Sequence, residues 1–314
     1  MAEVKREWYF IVNPRAGSGK TMSEWVPAEK KLDRMGVDYI TAYTDHKRHA
    51  TALAHDAAAE GYRRIAAVGG DGSLHETLTG ICQWCDETGT DTSEFILGVF
   101  PIGSGNDWIK GTGVPHDTSA VVSLLAKESF GRMDVVKVRS AGDRICYMAN
   151  VGGVGFDSHV CQRVNVKKEA GMRGKKIYLN ALRYTMMNIS AINIRVVADG
   201  VDIFCGSAYS VALGNGRYSG SGMRQVPEAD MDDNMLDVTI IPRSPLTGLI
   251  PELPRLFNGS MNESKKAVTA RCSSLQILPM DEGSSDIIEV DGEIEGRLPL
   301  CIEMENRKIG IVVG

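Results

Sequence analysis

Three glycine-bearing loops, each following a short β-type run, constrain this chain more than any other feature. They are Asn13-Pro14-Arg15-Ala16-Gly17-Ser18-Gly19-Lys20 after the run 8–12, Gly69-Gly70-Asp71-Gly72-Ser73 after 64–68, and Pro101-Ile-Gly-Ser-Gly-Asn-Asp107 after 95–100. Helical patterns over 20–35 and 47–60, with a strand pattern over 37–42, fill the intervals. Strands alternating with helices predict a parallel sheet covered on its faces. Ser73 with Glu76 three residues on reads as a capping box, and Leu74, Thr77, Leu78 and Ile81 then share one helical face. The chain has 34 glycines in 314 residues, where average usage of about 7 % gives roughly 22. Much of that surplus sits in loops, where a missing Cβ lets a ligand approach the backbone.

Such loops suit phosphate. Backbone N–H groups at a helix N-terminus form an anion site, and a di- or triphosphate fits it. Asp71 within the second loop would repel bare phosphate, so a bridging cation is expected, most simply Mg2+. The first loop ends like a phosphate-binding P-loop, yet Pro14 stands where that motif needs glycine, so the P-loop reading is rejected. Lys20 reads equally as a charge partner for phosphate and as a solvated helix-opening lysine. The third loop offers Ser104, Asn106 and Asp107 at a strand end, where open α/β sheets bind ligands.

From about residue 134 the pattern changes to short β-type runs at 135–138, 145–151, 192–197, 207–213, 236–241, 275–278, 287–290 and 300–303. Many short strands predict a sandwich or barrel. Helical stretches interrupt near 175–189 and 246–257, the second carrying Pro251 and Pro254, which should kink or restart it. Its apolar residues (246, 249, 250, 253, 256, 257) read as core packing ahead of lipid contact.

Thirty-five Lys and Arg against 40 Asp and Glu give a net charge of −5, which argues against a nucleic-acid partner. Residues 163–183 nevertheless hold seven cations and one acid, and read equally as a solvated helix and as a patch for an anionic membrane. No apolar run reaches the roughly 18 residues of a membrane span, and the first residues lack a signal-peptide core. Seven scattered cysteines suit reduced thiols, with Cys82-x-x-Cys85 lacking a second zinc-type pair. A cytoplasmic protein is expected. The histidines show no metal-ligand spacing. In the stretch 230–237, Asp230, Asp232, Asp233 and Asp237 repel one another unless a hard cation or solvent relieves them.

Together the motifs resemble the diacylglycerol kinase-type lipid kinases, which include soluble bacterial enzymes and are similar to sphingosine and ceramide kinases. The resemblance runs in order through Asn13-Pro14-x-x-Gly17-x-x-Lys20, Gly69 to Ser73 with His75-Glu76, Pro101-x-Gly-x-x-Asn106-Asp107, and Met133-Asp134-Val135. It continues through Asn150-x-x-Gly153-Val-Gly-Phe-Asp157, Asn215-Gly216 to Pro227-x-Ala229, and Val290-Asp291-Gly292-Glu293, covering nearly the whole chain. Asn234 stands where the family usually has glycine, a position asking for left-handed backbone, while Ala16 and Ser73 replace the usual Ser and Thr.

The resemblance implies a nucleotide-binding three-layer α/β domain over 1–135, with a return of 303–314, and an antiparallel β-sandwich domain over 136–302. The active site would lie in the cleft between them. It implies ATP contacts from Asn13, Pro14, Arg15, Ala16, Gly17, Lys20, Thr44, Gly69, Gly70, Asp71, Gly72, Ser73, Leu74, His75, Ser104, Asn106 and Asp107. Asp71 and Asp134 would organise catalytic Mg2+, directly or through water. Asp230, Asp233 and the Met235 carbonyl would hold a structural Mg2+. In the 291–293 turn one carboxylate would be the general base, Asp291 being favoured over Glu293. The expected reaction is ATP-dependent phosphorylation of a lipid hydroxyl, with diacylglycerol as acceptor, at the inner membrane face. The reading allows a homodimer. Its alternatives are an NAD kinase-like or other small-molecule kinase and a catalytically silent nucleotide- or lipid-binding module.

Overall fold

The computed structural model describes residues 3–103, 105–170, 172, 175–281 and 286–314, without the side chains of 169, 175, 176, 246 and 249. It divides into two compact units, Met1–Val135 with Asn306–Gly314, and Val136–Glu305. Among the described residues no helix is long and apolar enough to cross a membrane.

The first unit runs β1 (Lys5–Val12), α1 (Thr21–Met35), β2 (Tyr39–Tyr43), α2 (His49–Ala59), β3 (Tyr62–Gly69), α3 (Asp71–Thr88), β4 (Ile96–Pro101), α4 (Trp108–Thr112), α5 (Thr118–Ala126) and the start of β5 (Phe130–Ser140). β1 pairs in parallel with β2 and β3, and β3 with β4; the final strand adds a parallel pair through Gly310 and Ile311. Ile65, Ala66, Ala67 and Val68 are all buried, the unbroken apolar run of a strand covered on both faces. Phe10, Trp25 and Phe100 meet edge to face at 5.0–5.5 Å, each such pair worth about 0.5–1.5 kcal/mol beyond its buried area.

Strand order β2-β1-β3-β4 reverses direction between β1 and β3. β1 and β3 therefore flank a switch point, and the loops leaving their carboxyl ends stand at the position where open sheets bind ligands.

The capping box is not formed as expected. α3 begins at Asp71 with Gly70 as its N-cap, and Glu76 instead accepts the Arg48 and Ala50 backbone N–H groups at 3.0 and 3.3 Å, capping α2. A carboxylate beside another helix's orphan donors is a better use of its charge than a bond within its own first turn.

The second unit follows as β6 (Arg144–Met148), β7 (Val151–Gly155), α6 (Phe156–Glu169), α7 (Lys175–Met187), β8 (Ile192–Ala198), β9 (Val201–Gly214), β10 (Leu236–Pro242), α8 (Leu246–Leu249), α9 (Arg255–Asn258), β11 (Val268–Cys272), β12 (Ser274–Pro279), β13 (Ile287–Val290), β14 (Glu293–Arg297) and β15 (Leu300–Val312). Its pairings are antiparallel. The long β9 pairs with β8 through its first half, and with β7 and β10 through its second. Val211 and Leu213 of β9 with Leu236, Val238 and Ile240 of β10 enter one sandwich core, together with Ile194, Leu275, Ile288 and Leu300. The alternate residues Ser210, Ala212, Thr239 and Ile241 point to the other face.

α6 begins at Phe156, ahead of the basic stretch 163–183 for which a solvated helix is one of the two sequence readings. The stretch 246–257 breaks into α8, a 3-10 turn (Ile250–Glu252) and α9, the breaks falling at Pro251 and Pro254 as expected.

Candidate active site

In the first unit the three loops touch. Asn13 Nδ2 donates to Ser73 Oγ at 3.3 Å. A Cβ on Gly17 would lie 2.9 Å from Ile102 Cγ2, and one on Gly103 would lie 2.8 Å from Gly70 Cα and 2.4 Å from Asn106 Oδ1. Only glycine permits the second and third loops to meet backbone to backbone at that point. Thr44, just past β2, donates its N–H to Val12 O at the end of β1 at 2.9 Å. Ser73, Leu74 and His75 are buried on α3, whereas the Arg15 and Lys20 side chains are exposed. Ser104 lies outside the described residues.

Asp71 is held by the third loop. Its two carboxylate oxygens accept the backbone N–H groups of Asp107 at 3.1 Å and Trp108 at 3.2 Å. These are the orphan donors opening α4. Asn106, at φ +49°, donates to Pro101 O at 2.8 Å and Gly103 O at 3.2 Å. Its Oδ1 is buried without a hydrogen-bond partner, an unmet acceptor inside the loop cluster. Asp107 pairs with Lys110 at 2.5 Å.

Asp134 sits on β5 and is fully buried. Lys308 Nζ lies 3.0 Å from its Oδ1. Lys308 is a single lysine in a β-type run, and no sequence motif marks it. Trp108 Nε1 donates to Met133 Sδ at 3.4 Å, so the residue after Asp107 packs against the neighbour of Asp134.

In the second unit, Asp291 is a non-glycine residue at φ +52°, followed by Gly292 at +83°. Its Oδ2 accepts Ala149 N–H at 2.9 Å and its Oδ1 accepts Asn150 N–H at 2.8 Å, while its own N–H donates to Val151 O at 2.9 Å. Glu293 is half-buried at the start of β14.

Two arginines offset part of the acidic loop's charge. Arg271 pairs with Asp233, and with Asp237 at 3.2 Å, while Arg217 stands 3.9 Å from Asp230. Burial pushes the Asp237 carboxyl up, and Arg271 opposes that. Asp230 and Asp233 accept the N–H groups of Asp232 and Met235 at 3.1 and 3.0 Å. Asn234 takes φ +57°, the left-handed conformation the departure from glycine asked for. Two carboxylates and a carbonyl are donors suited to a hard cation, which would share Asp233 with Arg271.

The second unit also contains a cavity of about 170 Å3 on the outer face of β9 and β10. Met186, Ile189, Ile241, Ile250, Leu253 and Leu256 give it apolar walls. Asp157 lines it too, accepting from Ser210 Oγ at 2.6 Å and Gln225 Nε2 at 2.7 Å. Burial pushes the Asp157 carboxyl up against the pull of those two donors. Leu253 and Leu256 therefore face a cavity, and Ile250 and Phe257 are about 60 % exposed, which corrects the expectation of ordinary core packing. The side chains of Leu246 and Leu249 lie outside the described residues. Cys82 and Cys85 are buried in α3, and burial lifts the Cys85 thiol to about 12, which suits an inert packing residue.

Residues 7–138 match the diacylglycerol kinase catalytic domain, and residues 150–313 match the YegS C-terminal NAD kinase beta sandwich-like domain. A Xanthomonas campestris protein named "Probable lipid kinase YegS-like" is 28 % identical over 92 % of this chain and 90 % of its own length. A Mycobacterium tuberculosis diacylglycerol kinase is 25 % identical over 85 % of this chain and 83 % of its own. The crystal structure of a diacylglycerol kinase from Bacillus anthracis has the same fold, with a TM-score of 0.73 at 20 % identity, covering 98 % of this chain and 97 % of that one.

Proposed function

The chain belongs to the diacylglycerol kinase-type lipid kinases, and from that premise we propose that it transfers the γ-phosphoryl group of ATP to the hydroxyl of diacylglycerol, giving phosphatidic acid. The observation that carries the lipid end is the apolar cavity on β9 and β10, whose walls suit an acyl chain far better than a nicotinamide nucleotide or a sugar. The mutual contacts of the three glycine loops support the nucleotide end, since they gather backbone donors at a sheet switch point.

Asn13 to Gly17, Lys20, Thr44, Gly69 to His75, Ser104, Asn106 and Asp107 would hold ATP. Asp71 and Asp134 would hold Mg2+, whose charge offsets that developing on the phosphate oxygens. A second Mg2+ would take Asp230, Asp233 and the Met235 carbonyl. Asp291 would accept the lipid hydroxyl proton as its oxygen bonds to the γ-phosphorus and ADP departs, with Glu293 as the alternative base. Exposed Leu179, Met187, Ile250 and Phe257, with Arg163, Lys168 and Arg183, support docking on an anionic bilayer, each nearby cation adding about 1 kcal/mol. The protein would then act in the cytoplasm at the inner membrane face.

ADP release measured with diacylglycerol, phosphatidylglycerol or a sphingoid base in mixed micelles tests the proposal. Turnover should depend on lipid and be highest with diacylglycerol; turnover indifferent to every lipid would overturn it.

A further inference from the structure

Helix α6 bears two sets of polar contacts along one stripe. Asp157, Cys161 and Asn165 follow one another at intervals of four, so they share a face of the helix. At the N-terminal end, Asp157 is fixed by Ser210 and Gln225 beside the apolar cavity. One and two turns further on, Cys161 Sγ lies 2.9 Å from the Gly292 carbonyl oxygen and Asn165 Nδ2 donates to the same oxygen at 3.2 Å.

That carbonyl belongs to the turn carrying the proposed base. Two successive left-handed residues, Asp291 and Gly292, must be held there, a conformation a non-glycine residue adopts only where its surroundings insist. The Asp291 N–H and carboxylate are tied to residues 149–151, and the Gly292 N–H donates to Glu289 Oε2 at 3.0 Å. These ties come from neighbouring strands and loops. The Gly292 carbonyl is secured from α6, the helix that also borders the cavity.

We propose that Cys161 and Asn165 are positioning residues, which clamp the Gly292 carbonyl so that the Asp291 carboxylate faces an acceptor bound beside α6. This rests on the assignment of Asp291 as base. In this role the two side chains act through the turn and not on the nucleotide or the lipid. Their loss should therefore lower kcat and leave the KM for ATP and for lipid in place. Misplacing a reacting group by about 1 Å can cost up to about 10²-fold in rate.

The experiment compares wild type, N165A, C161A/N165A, C161S/N165A and D291N in the diacylglycerol micelle assay, with circular dichroism confirming the fold. The double alanine variant should lose between about tenfold and 10²-fold in kcat at unchanged KM values. C161S/N165A, which returns a hydroxyl donor to the carbonyl, should recover much of that loss. A folded C161A/N165A with wild-type kcat, or no recovery by serine, would overturn the clamp. Should the double variant not fold, N165A alone carries the same reading through a smaller fall in kcat, and its wild-type kcat would overturn it. D291N separates the two assignments. An active D291N overturns the base itself, whereas an inactive D291N beside a fully active C161A/N165A overturns the clamp alone.

Discussion

Lys308→Met should destabilise the first unit strongly. Asp134 is fully buried, and the Lys308 ammonium 3.0 Å away retains about 20 % exposure. Removing one partner of a buried ion pair typically costs about 3–5 kcal/mol. The residual exposure of Lys308 admits some water, which places the expected loss at the lower end, about 3 kcal/mol. For a domain near 150 residues that corresponds to a fall of about 6–12 °C in melting temperature.

The assay is direct, because all four tryptophans (8, 25, 84 and 108) lie in the first unit. Urea unfolding followed by their fluorescence reports that unit. Asp134→Asn combined with Lys308→Met should recover much of the loss, since both members of the ion pair are then neutral. If Asp134 also serves Mg2+, millimolar Mg2+ should stabilise the Lys308→Met variant more than wild type. A loss below about 1 kcal/mol, the level of an exposed pair, would refute the reasoning, as would simple additivity in the double variant.

Two further expectations follow from packing and charge. Gly80 lies in α3 where a Cβ would come within 2.2 Å of Thr51 O on α2, so Gly80→Ala should cost about 1–3 kcal/mol by forcing the helices apart; an unchanged urea midpoint would contradict this. The Asp157 carboxyl is raised in the folded protein, so the folded state holds a proton that the unfolded chain has already released. Its contribution to stability is therefore full below the unfolded value near 3.8 and is lost as pH rises through the folded value. Asp157→Asn should remove that part of the pH slope in unfolding followed by circular dichroism. A difference between the two proteins that is constant with pH would contradict the sign.

The loops were legible because glycine, proline and strand periodicity mark where the backbone must bend and approach. Their order along the chain also carried the family. Other parts left no such trace. Lys308 reaches Asp134 from 174 positions away in sequence, and nothing local distinguishes it from any strand lysine. Glu76 sits at capping-box spacing yet caps a neighbouring helix, because tertiary contact offers it better donors than its own turn. The second half of α6 falls in the basic stretch for which a solvated helix is one reading, but its start at Phe156 is hidden by the glycines and valines before it, although its 157, 161, 165 spacing of four is a helical signal. The four acids at 230–237 suggest a cation, and the arginines that offset part of their charge come from residues 217 and 271, outside the stretch.

The central claim is phosphoryl transfer to a lipid hydroxyl, and its most direct measurement follows the phosphate itself. The protein is incubated with γ-labelled ATP, Mg2+ and diacylglycerol micelles, and the organic-extractable product is identified beside that of Asp291→Asn, which keeps one acceptor for the Ala149 and Asn150 N–H groups. The account predicts labelled phosphatidic acid from wild type and almost none from the variant. Label remaining in water-soluble products, with none entering lipid, would contradict it.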